Sequence, residues 1–532
     1  MQSSIINCSS GYKGGGFGCQ STSTLLAMNS VRCAPLKYRS SHPYRYTVAT
    51  HPPSACLLVS LAQTVQDCTA DIGGGVFSDH RAQMELVNCH ILRCHATSSG
   101  GGLCVWTQKC KITGGTISGC SAKKGGGVHM FGPPTYEDTF YTLINVLVTN
   151  CRATGKQEDE GGGGILVSGG ARLKMSGGLI QDCAAQYEGG GGGGGLRVMD
   201  SASQVWLSGM ALQRCTAMRR GGCMRIDEGD LSLLDVSLEE CGLELMCVGA
   251  YAINQARGTL RAERVRVGRP NPKFELPNCG IPTVRSRGGN SEWTDSTISD
   301  CPGSCLMLDG GTHAVVRTSI VRSSDAVRFF ASSILTMTNS YIADSASICL
   351  LGSGVAVLRN TTLHNCSARA GDNNPYIGLE SLKTAINFQA ELLTLELSCR
   401  EGSSTALIND NIHDTTTIAG PLNVRGLRIV APEACANFSV FRDGVRPVSC
   451  SDDKYSPCAA AATCTEVPPL LSVPTLKTVD CSCEGGKTNQ KATSPALAPY
   501  GFNPSTIGLP GERIDYCVRC GPLKPQTATS GT

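Results

Sequence analysis

Short segments of the chain alternate apolar with polar residues, and they return at a nearly constant interval. Three of them are "HAVVRTSIVRSS" (313–324), "ILTMTNSYIADS" (334–345) and "VAVLRNTTLHNC" (355–366). Alternation with period two, in segments rich in Val, Ile and Thr, predicts β-strands with one buried face. Glycine pairs in the repeated units disfavour the alternative of a helical hairpin, because each glycine costs a helix about 1 kcal/mol.

A cysteine motif marks the repeat in the first half of the chain. It is an apolar residue, two variable residues, Cys, a variable residue and Ala, then a loop, glycines and a second apolar residue, as in "ISGCSAKKGGGV" (117–128). Later copies, from residue 298 onward, have Cys or Ser and lie 21 or 22 residues apart. Self-similarity of this kind indicates a repeat architecture. The predicted cysteine ladder consists of Cys68, Cys94, Cys120, Cys151, Cys183, Cys215 and Cys241.

A unit of about 22 residues fits one coil of a parallel β-helix, with three short strands joined by three turns. Coils stack at the strand spacing of about 4.8 Å, and only the stack buries the inward side chains. We therefore predict an all-β fold, a parallel β-helix solenoid. Ile117 and Val128 are predicted to point into the core, and the glycines between them to form a corner close to the next coil. "GKQEDEGGGG" (155–164) is predicted to be an outward loop.

Two arrangements of the ladder cysteines remain open from the sequence. Neighbouring rungs would have Cα atoms about 4.8 Å apart, a distance that permits a disulfide. Side chains in register point the same way, however, which strains such a bridge. The alternative is a stack of free thiols, packed as small hydrophobic groups.

Composition indicates the compartment. The 30 cysteines in 532 residues favour an oxidising environment, so we predict an extracellular or cell-surface protein. A net charge of +3, with no basic stripe, gives no reason to expect a nucleic-acid partner. The sequence has no basic segment followed by an apolar core at its start, and no run of about 18 apolar residues. We expect an ectodomain fragment, linked to a membrane only through anchor segments outside this sequence.

The segment "ISGCSAKKGGGV" resembles the repeat of chlamydial polymorphic outer-membrane proteins, in which a Phe-x-x-Asn block precedes Gly-Gly-Ala-Ile. Ile117 stands where that family has Phe, Cys120 where it has Asn, and Gly125 to Val128 where it has the second block. The resemblance covers residues 65–245 well and extends weakly to about residue 430. It implies a right-handed parallel β-helix displayed at a surface, with a role in adhesion. The consistent Cys in place of Asn indicates a divergent branch.

A cysteine-rich region follows "LRIVAPEACANFSV" (427–440), where the alternation stops. Its Cys-x-Cys at 481–483 resembles that of an EGF-like module, although the last loop is longer. The resemblance implies that the six cysteines from Cys450 to Cys517 pair first with third, second with fourth and fifth with sixth. The disulfide candidates of this region are Cys435, Cys450, Cys458, Cys464, Cys481, Cys483, Cys517 and Cys520.

Two segments invite a metal site, and we predict none at either. Cys481, Cys483 and "CVRC" (517–520) offer four thiolates for zinc, but Cys-x-Cys is an unusual zinc spacing. "NCHILRCH" (88–95) offers two Cys and two His, but residues five apart point to opposite faces of a strand. We likewise predict no cofactor.

The predicted domains are partial first coils or irregular chain over 1–55, β-helix repeats over 56–434, the EGF-like region over 435–520 and a disordered tail over 521–532. Asn360 and Asn437 begin Asn-x-Ser/Thr sites and are candidates for glycosylation. Asn365 begins another, but it precedes a ladder-like cysteine, and we expect it to be hindered.

Two classes of function are compatible with this fold. Many parallel β-helices are polysaccharide lyases or glycoside hydrolases with clustered acids, and the densest acids here are Asp227, Glu228 and Asp230, with Asp295 further on. We interpret these acids as a solvated turn and a polar strand face, because glycoside chemistry requires two carboxylates at a defined separation. The prediction is a non-catalytic surface protein, a stiff spacer that binds a glycan or a surface protein through its faces and corner loops.

Overall fold

The structure is a computed structural model. It describes residues 3–11, 13–15, 17–19, 57–61, 63–79, 83–107, 109–132, 140–186, 191–243, 252–268, 282–330, 332–366, 377–379, 387–396, 405–410, 422–425, 428–432, 438–441, 462–467 and 476–483. These residues form β-strands and turns, with no α-helix among them. The chain divides into two compact units, residues 1–281 and 282–532.

Each coil of the first unit contributes short strands to four faces of a parallel β-helix. In the coil that carries the motif, face 1 is Leu103–Val105, face 2 is Lys109–Thr113, face 3 is Thr116–Ser118 and face 4 is Ser121–Ala122. Every strand of this coil pairs in parallel with the equivalent strand of the next coil. The sequence predicts only three strands in a coil, because most strands of face 4 have two residues and are too short to show alternation.

The faces of the first unit are continuous parallel sheets. Face 1 comprises Phe17–Cys19, Val76–Ser78, Leu103–Val105, Val128–Phe131, Ile165–Ser168, Leu196–Val198, Met224–Ile226 and Ile253–Gln255. Faces 2 and 3 comprise Ser3–Ile6, Leu57–Leu61, Gln63–Gln66, Gln83–Val87, His90–Leu92, Lys109–Thr113, Thr116–Ser118, Phe140–Ile144, Leu147–Thr149, Arg172–Ser176, Leu179–Gln181, Gln204–Gln213, Asp230–Glu239, Thr259–Glu263 and Arg266–Val267. Face 4 comprises Thr69–Ile72, His95–Ser99, Ser121–Ala122, Arg152–Ala153, Ala184–Ala185, Thr216–Ala217 and Gly242–Leu243.

The second unit repeats the first three faces. Its face 1 comprises Val284–Ser286, Leu306–Leu308, Val327–Phe329, Leu350–Gly352, Ile377–Leu379, Thr405–Asp410 and Phe438–Phe441. Its faces 2 and 3 comprise Asn290–Thr294, Thr297–Cys301, Gly311–Val316, Ser319–Ser323, Ser333–Thr338, Tyr341–Ser345, Val355–Cys366, Asn387–Glu396, Leu422–Arg425 and Arg428–Pro432. Two further strands, Ala462–Val467 and Leu476–Cys483, are antiparallel to each other, and the second also pairs antiparallel with Arg428–Pro432.

The core of the first unit is a stack of inward apolar side chains. Ile117 and Val128 are 2% and 0% exposed, and their equivalents in the neighbouring coils are buried to the same degree. This confirms the inward positions predicted on both sides of the motif. Burial of such side chains contributes about 1.5–3 kcal/mol each, which no single coil can obtain alone.

Three successive glycines connect face 4 to face 1, and each meets a different requirement. Gly125 has a φ of +61°, in the left-handed region that other residues avoid. A side chain on Gly126 would overlap the carbonyl group of Arg152 in the next coil. A Cβ atom on Gly127 would lie 3.1 Å from the sulfur of Cys151. The predicted close approach to the next coil is therefore confirmed, and the third glycine faces its ladder cysteine.

Candidate functional site

The ladder cysteines occupy one corner of the first unit, between faces 3 and 4. The six from Cys68 to Cys215 are free thiols, each no more than 1% exposed. The thiol of Cys120 lies 3.5 Å from the carbonyl oxygen of Ser118 in its own coil and 3.7 Å from that of Ile91 in the preceding coil. The same two contacts recur at the next rungs, so each thiol has a backbone acceptor.

Neighbouring sulfurs and burial raise the pKa of four of these thiols, those of Cys68, Cys94, Cys120 and Cys183. Burial raises the pKa of Cys183 well above the ordinary thiol value, and the neighbouring sulfurs of Cys151 and Cys215 raise it further. The pKa of Cys94 rises to about 12 through its hydrogen bond with Cys120 and through burial. Because the thiolate is the form that attacks electrophiles and binds metals, the raised pKa values of Cys94 and Cys183 make these two thiols unreactive at neutral pH.

The seventh ladder cysteine differs from the other six. Cys241 is joined by a disulfide to Cys223, with Cα atoms 5.3 Å apart, within the usual range for such bonds. Cys223 directly precedes a face 1 strand, where the five preceding coils have Gly75, Gly102, Gly127, Gly164 and Gly195. A side chain at this position faces the ladder cysteine of the next coil. The sequence signal is "RRGGCM" (219–224), in which Cys replaces the third glycine.

A disulfide at the same two positions occurs in the second unit. Cys349 precedes its face 1 strand as Cys223 does, and it is bonded to Cys366 at the end of face 3 in the following coil. Cys305 also precedes a face 1 strand, but the following coil has Ser323 at the ladder position, and Cys305 is bonded to Cys301 of its own coil. In the residues that the structure describes, a disulfide thus forms where both positions carry cysteine.

Two corners of the coil carry residues with positive φ and ion pairs between coils. In the first unit, Arg93 bonds Asp67 through both Nε and Nη2, at 2.8 and 2.9 Å. Each of these residues directly precedes a ladder cysteine and has a φ near +50°. Asn and Asp tolerate this conformation best, whereas Arg adopts it uncommonly. Equivalent pairs join Asp182 to Arg214, Asp235 to Arg264, Asp295 to Arg317 and Asp300 to Arg322.

The outer side of face 1 carries a buried ionic cluster that the sequence did not reveal. Arg197 and Arg225 are central residues of adjacent strands and are 2% and 4% exposed. Asp227 accepts from Arg197 Nε at 2.8 Å and pairs with Arg225 Nη2 at 2.6 Å. Burial, followed by the charge of Arg197, lowers the pKa of Arg225 to about 10. A carboxylate held between two guanidinium groups is a structural counter-ion rather than a proton donor.

The same cluster holds the loop that was predicted to extend outward. Arg197 donates to the carbonyl oxygens of Glu158 and Glu160, at 2.7 and 2.6 Å. Arg225 donates to the carbonyl oxygen of Gly191. The loop therefore lies against face 1, because two buried guanidinium groups need more acceptors than Asp227 provides.

The remaining candidate acids are at least partly exposed or paired with arginines, and the cysteines of the Cys/His segment are buried. Glu228 is exposed and pairs with Arg257 at 2.8 Å, while Asp295 pairs with Arg317 at a corner of the second unit. Asp230 begins a face 2 strand and is partly exposed. In 88–95, Cys89 and Cys94 are buried, and no group of three His, Cys, Asp or Glu side chains suited to a metal occurs among the described residues.

Of the Asn-x-Ser/Thr sites at Asn360, Asn365 and Asn437, the first two can be placed. Asn360 is exposed, and its amide donates to Asn339 Oδ1 of the preceding coil at 2.8 Å. Asn365 donates to Asp344 Oδ1 at 2.7 Å. Both side chains therefore take part in corner hydrogen bonds. Asn437 lies outside the described residues.

Most of the cysteine-rich region also lies outside the described residues, including Cys435, Cys450, Cys458, Cys517 and Cys520. The backbone of the antiparallel pair in this region places Cys464 opposite Cys481. Among the described residues, no helix has the length and apolar character needed to cross a membrane.

Face 2 of the first unit presents aromatic and basic side chains to solvent. Phe140 and Trp206, two coils apart, stack with ring centroids 6.0 Å apart and planes inclined by 17°. Arg172 and Lys174 belong to the coil between them. We call this set, with its neighbours on the same face, the face 2 platform: Lys109, Phe140, Arg172, Lys174, Gln204, Trp206, Asp230, Ser232, Thr259 and Arg261.

Comparison with known proteins supports the fold of the chain. No curated protein and no solved structure matches the chain. A family model described as "Right handed beta helix region" matches residues 280–420. With the stacked parallel strands, this match makes the chain similar to right-handed parallel β-helix proteins. The repeat predicts the parallel β-helix, and the resemblance to the chlamydial repeat implies its right-handed form.

Proposed function

We propose that the protein is a non-catalytic extracellular or cell-surface β-helix that acts as a stiff spacer and binds a glycan or a surface protein through its strand faces. The observation that carries the proposal is the position of Asp227 between Arg197 and Arg225. This carboxylate belongs to the densest group of acids in the chain, and its charge is already matched by two buried cations. A general acid instead needs surroundings that favour its protonated form.

The wider setting supports a structural and binding role. A stack of coils offers long lateral surfaces for ligands. The three disulfides among the residues that the structure describes are compatible with an oxidising compartment. The resemblance to the chlamydial surface repeat favours adhesion, and we propose that residues 435–520 form an EGF-like region that follows repeats over 56–434.

The alternative function, a polysaccharide lyase or glycoside hydrolase, is tested by turnover. Full-length protein is incubated with polygalacturonate, heparin and a neutral glucan, and released ends are followed over many enzyme equivalents. We expect binding without sustained product release. Sustained release that Asp227→Asn abolishes in a protein that remains folded would overturn the proposal.

A further inference from the structure

We propose that the face 2 platform binds an acidic polysaccharide, one that carries carboxylate or sulfate groups beside free hydroxyls. This inference rests on the proposed binding function and names its site and ligand class. The platform spans six coils, from Lys109 to Arg261, which is five steps of about 4.8 Å or about 24 Å. That length accommodates an extended chain of several sugar units.

The cations of the platform differ from the paired arginines at the corners of the coil. Arginines at the corners, such as Arg93 and Arg214, are each paired with an aspartate. By contrast, Lys109, Arg172, Lys174 and Arg261 form no ion pair with any residue that the structure describes. Unpaired cations that converge on one face are complementary to a polyanion.

The aromatic pair gives the platform an affinity for sugar rings. Phe140 is 40% exposed, and Trp206 is partly exposed and packs against it. Exposed aromatic rings on a sheet face present flat apolar surface of the kind that packs against the C–H side of a pyranose ring. Arg172 and Lys174, from the intervening coil, lie on the same face, where they are placed to meet acidic substituents.

Polar groups beside Trp206 favour a carbohydrate over a nucleic acid. A shallow depression of about 130 Å³ is lined by Gln204, Trp206, Asp230, Ser232, Thr259 and Arg261. Its hydroxyl and amide groups both donate and accept, as sugar hydroxyls require. The Asp230 carboxylate adds an acceptor for the free hydroxyls of the sugar units.

The test is binding of full-length protein to immobilised heparin and polygalacturonate, with dextran as the neutral probe and a 20-nucleotide oligothymidylate as the nucleic acid. We expect the acidic polysaccharides to bind, with affinity that falls as salt rises. Trp206→Ala and Lys174→Glu should each weaken binding at least tenfold. Arg152→Ala, at an exposed cation on face 4, is the matched control and should leave binding unchanged.

Each outcome bears on a different claim. Binding of the acidic probes that persists in both face 2 variants would overturn the platform and leave the binding function intact. Preference for oligothymidylate or dextran would overturn the ligand class. If the wild type binds none of the four probes, the acidic-polysaccharide proposal fails. The variants alter outward side chains, so an unchanged thermal melt verifies that each variant is folded.

Discussion

Cys223 is bonded to Cys241 of the next coil from a position that glycine occupies in five preceding coils. The bond shows what the third glycine of the motif faces, namely the sulfur of the adjacent rung. The corner between faces 3 and 4 therefore has one of two arrangements. The ladder cysteine is a stacked free thiol where the facing residue is glycine, and it is cross-linked where that residue is cysteine. Which state forms depends on a single residue in "RRGGCM" (219–224).

Removing the cross-link should restore the glycine state. In Cys223→Gly, Cys241 becomes a buried thiol like the six before it, and the free energy of unfolding should fall by about 3 kcal/mol, as expected for a loop of this length. Chemical denaturation measures the loss, and thiol titration of denatured, unreduced protein should count one additional thiol. A thiol count that falls by one would show that Cys223 is a free thiol in the wild-type protein and would contradict the bond.

The reverse substitution should create a cross-link. A Cβ atom on Gly195 would lie 3.1 Å from the sulfur of Cys215 and 2.8 Å from the carbonyl oxygen of Cys223. We expect Gly195→Cys to form a disulfide with that rung, with a small shift of the backbone at Cys223. Mass spectrometry of unreduced peptides detects the bond. The matched control is Gly194→Cys, whose side chain would overlap the carbonyl oxygen of Thr216 and should prevent folding. A folded, uncrosslinked Gly195→Cys protein would argue against the geometry of this corner.

Glycines of the coil should differ in their tolerance of alanine. A methyl group on Gly126 would overlap the backbone of Arg152, so Gly126→Ala should cost more than about 4 kcal/mol. Gly209 has a φ of +57° but no neighbour within 4 Å, so Gly209→Ala should cost only about 1–2 kcal/mol, for its backbone conformation. Denaturant titration of the two variants measures both values, and equal losses would contradict the close packing of coils at Gly126.

Asp227 should prove structural in a stability measurement. Asp227→Ala leaves Arg197 and Arg225 buried without their counter-ion, which should cost about 3–5 kcal/mol. Glu228→Ala removes only an exposed ion pair with Arg257 and should cost less than about 1 kcal/mol. Equal and small losses in the two variants would indicate that Asp227 is free for another role.

His129 should make the fold sensitive to acid. Burial lowers its pKa to about 3, whereas the unfolded chain takes up the proton near pH 6.5. The unfolded state therefore binds more protons between these values, and stability falls as the pH drops from 6.5 toward 3, by up to about 1.4 kcal/mol per pH unit. His129→Leu, with the side chain of the equivalent Leu166, should show a shallower decline in a pH series of thermal melts.

The repeat was predictable from the sequence because its inward apolar residues recur at fixed positions relative to the cysteines. Val65, Ile91 and Ile117 recur three residues before a cysteine, and the structure buries all of them. The glycines were predictable for the same reason, since a corner against a neighbouring backbone excludes any side chain. Whether the ladder cysteines are free or bonded to each other was not predictable, because their spacing alone permits both a disulfide and a stack of thiols.

The face 1 cluster could not be predicted from alternation. Arg197 and Arg225 occupy outward positions of their strands, where a charged residue is ordinarily solvated. Backbone carbonyl groups cover them, those of Glu158 and Glu160 at Arg197 and that of Gly191 at Arg225. Pairing across 34 or more residues leaves no local signal. The residues of the face 2 platform are likewise far apart in the sequence, since Phe140 and Trp206 come into contact only when the coils stack.

The face 2 platform exists only if the coils stack in this register, so the stack is the central claim. A cysteine map of native full-length protein tests it most directly, by alkylation before and after denaturation without reductant. We expect Cys68, Cys94, Cys120, Cys151, Cys183 and Cys215 to react only after denaturation, and Cys223 to be recovered bonded to Cys241. Ladder cysteines that react in the native protein, or that are bonded to one another, would contradict the account.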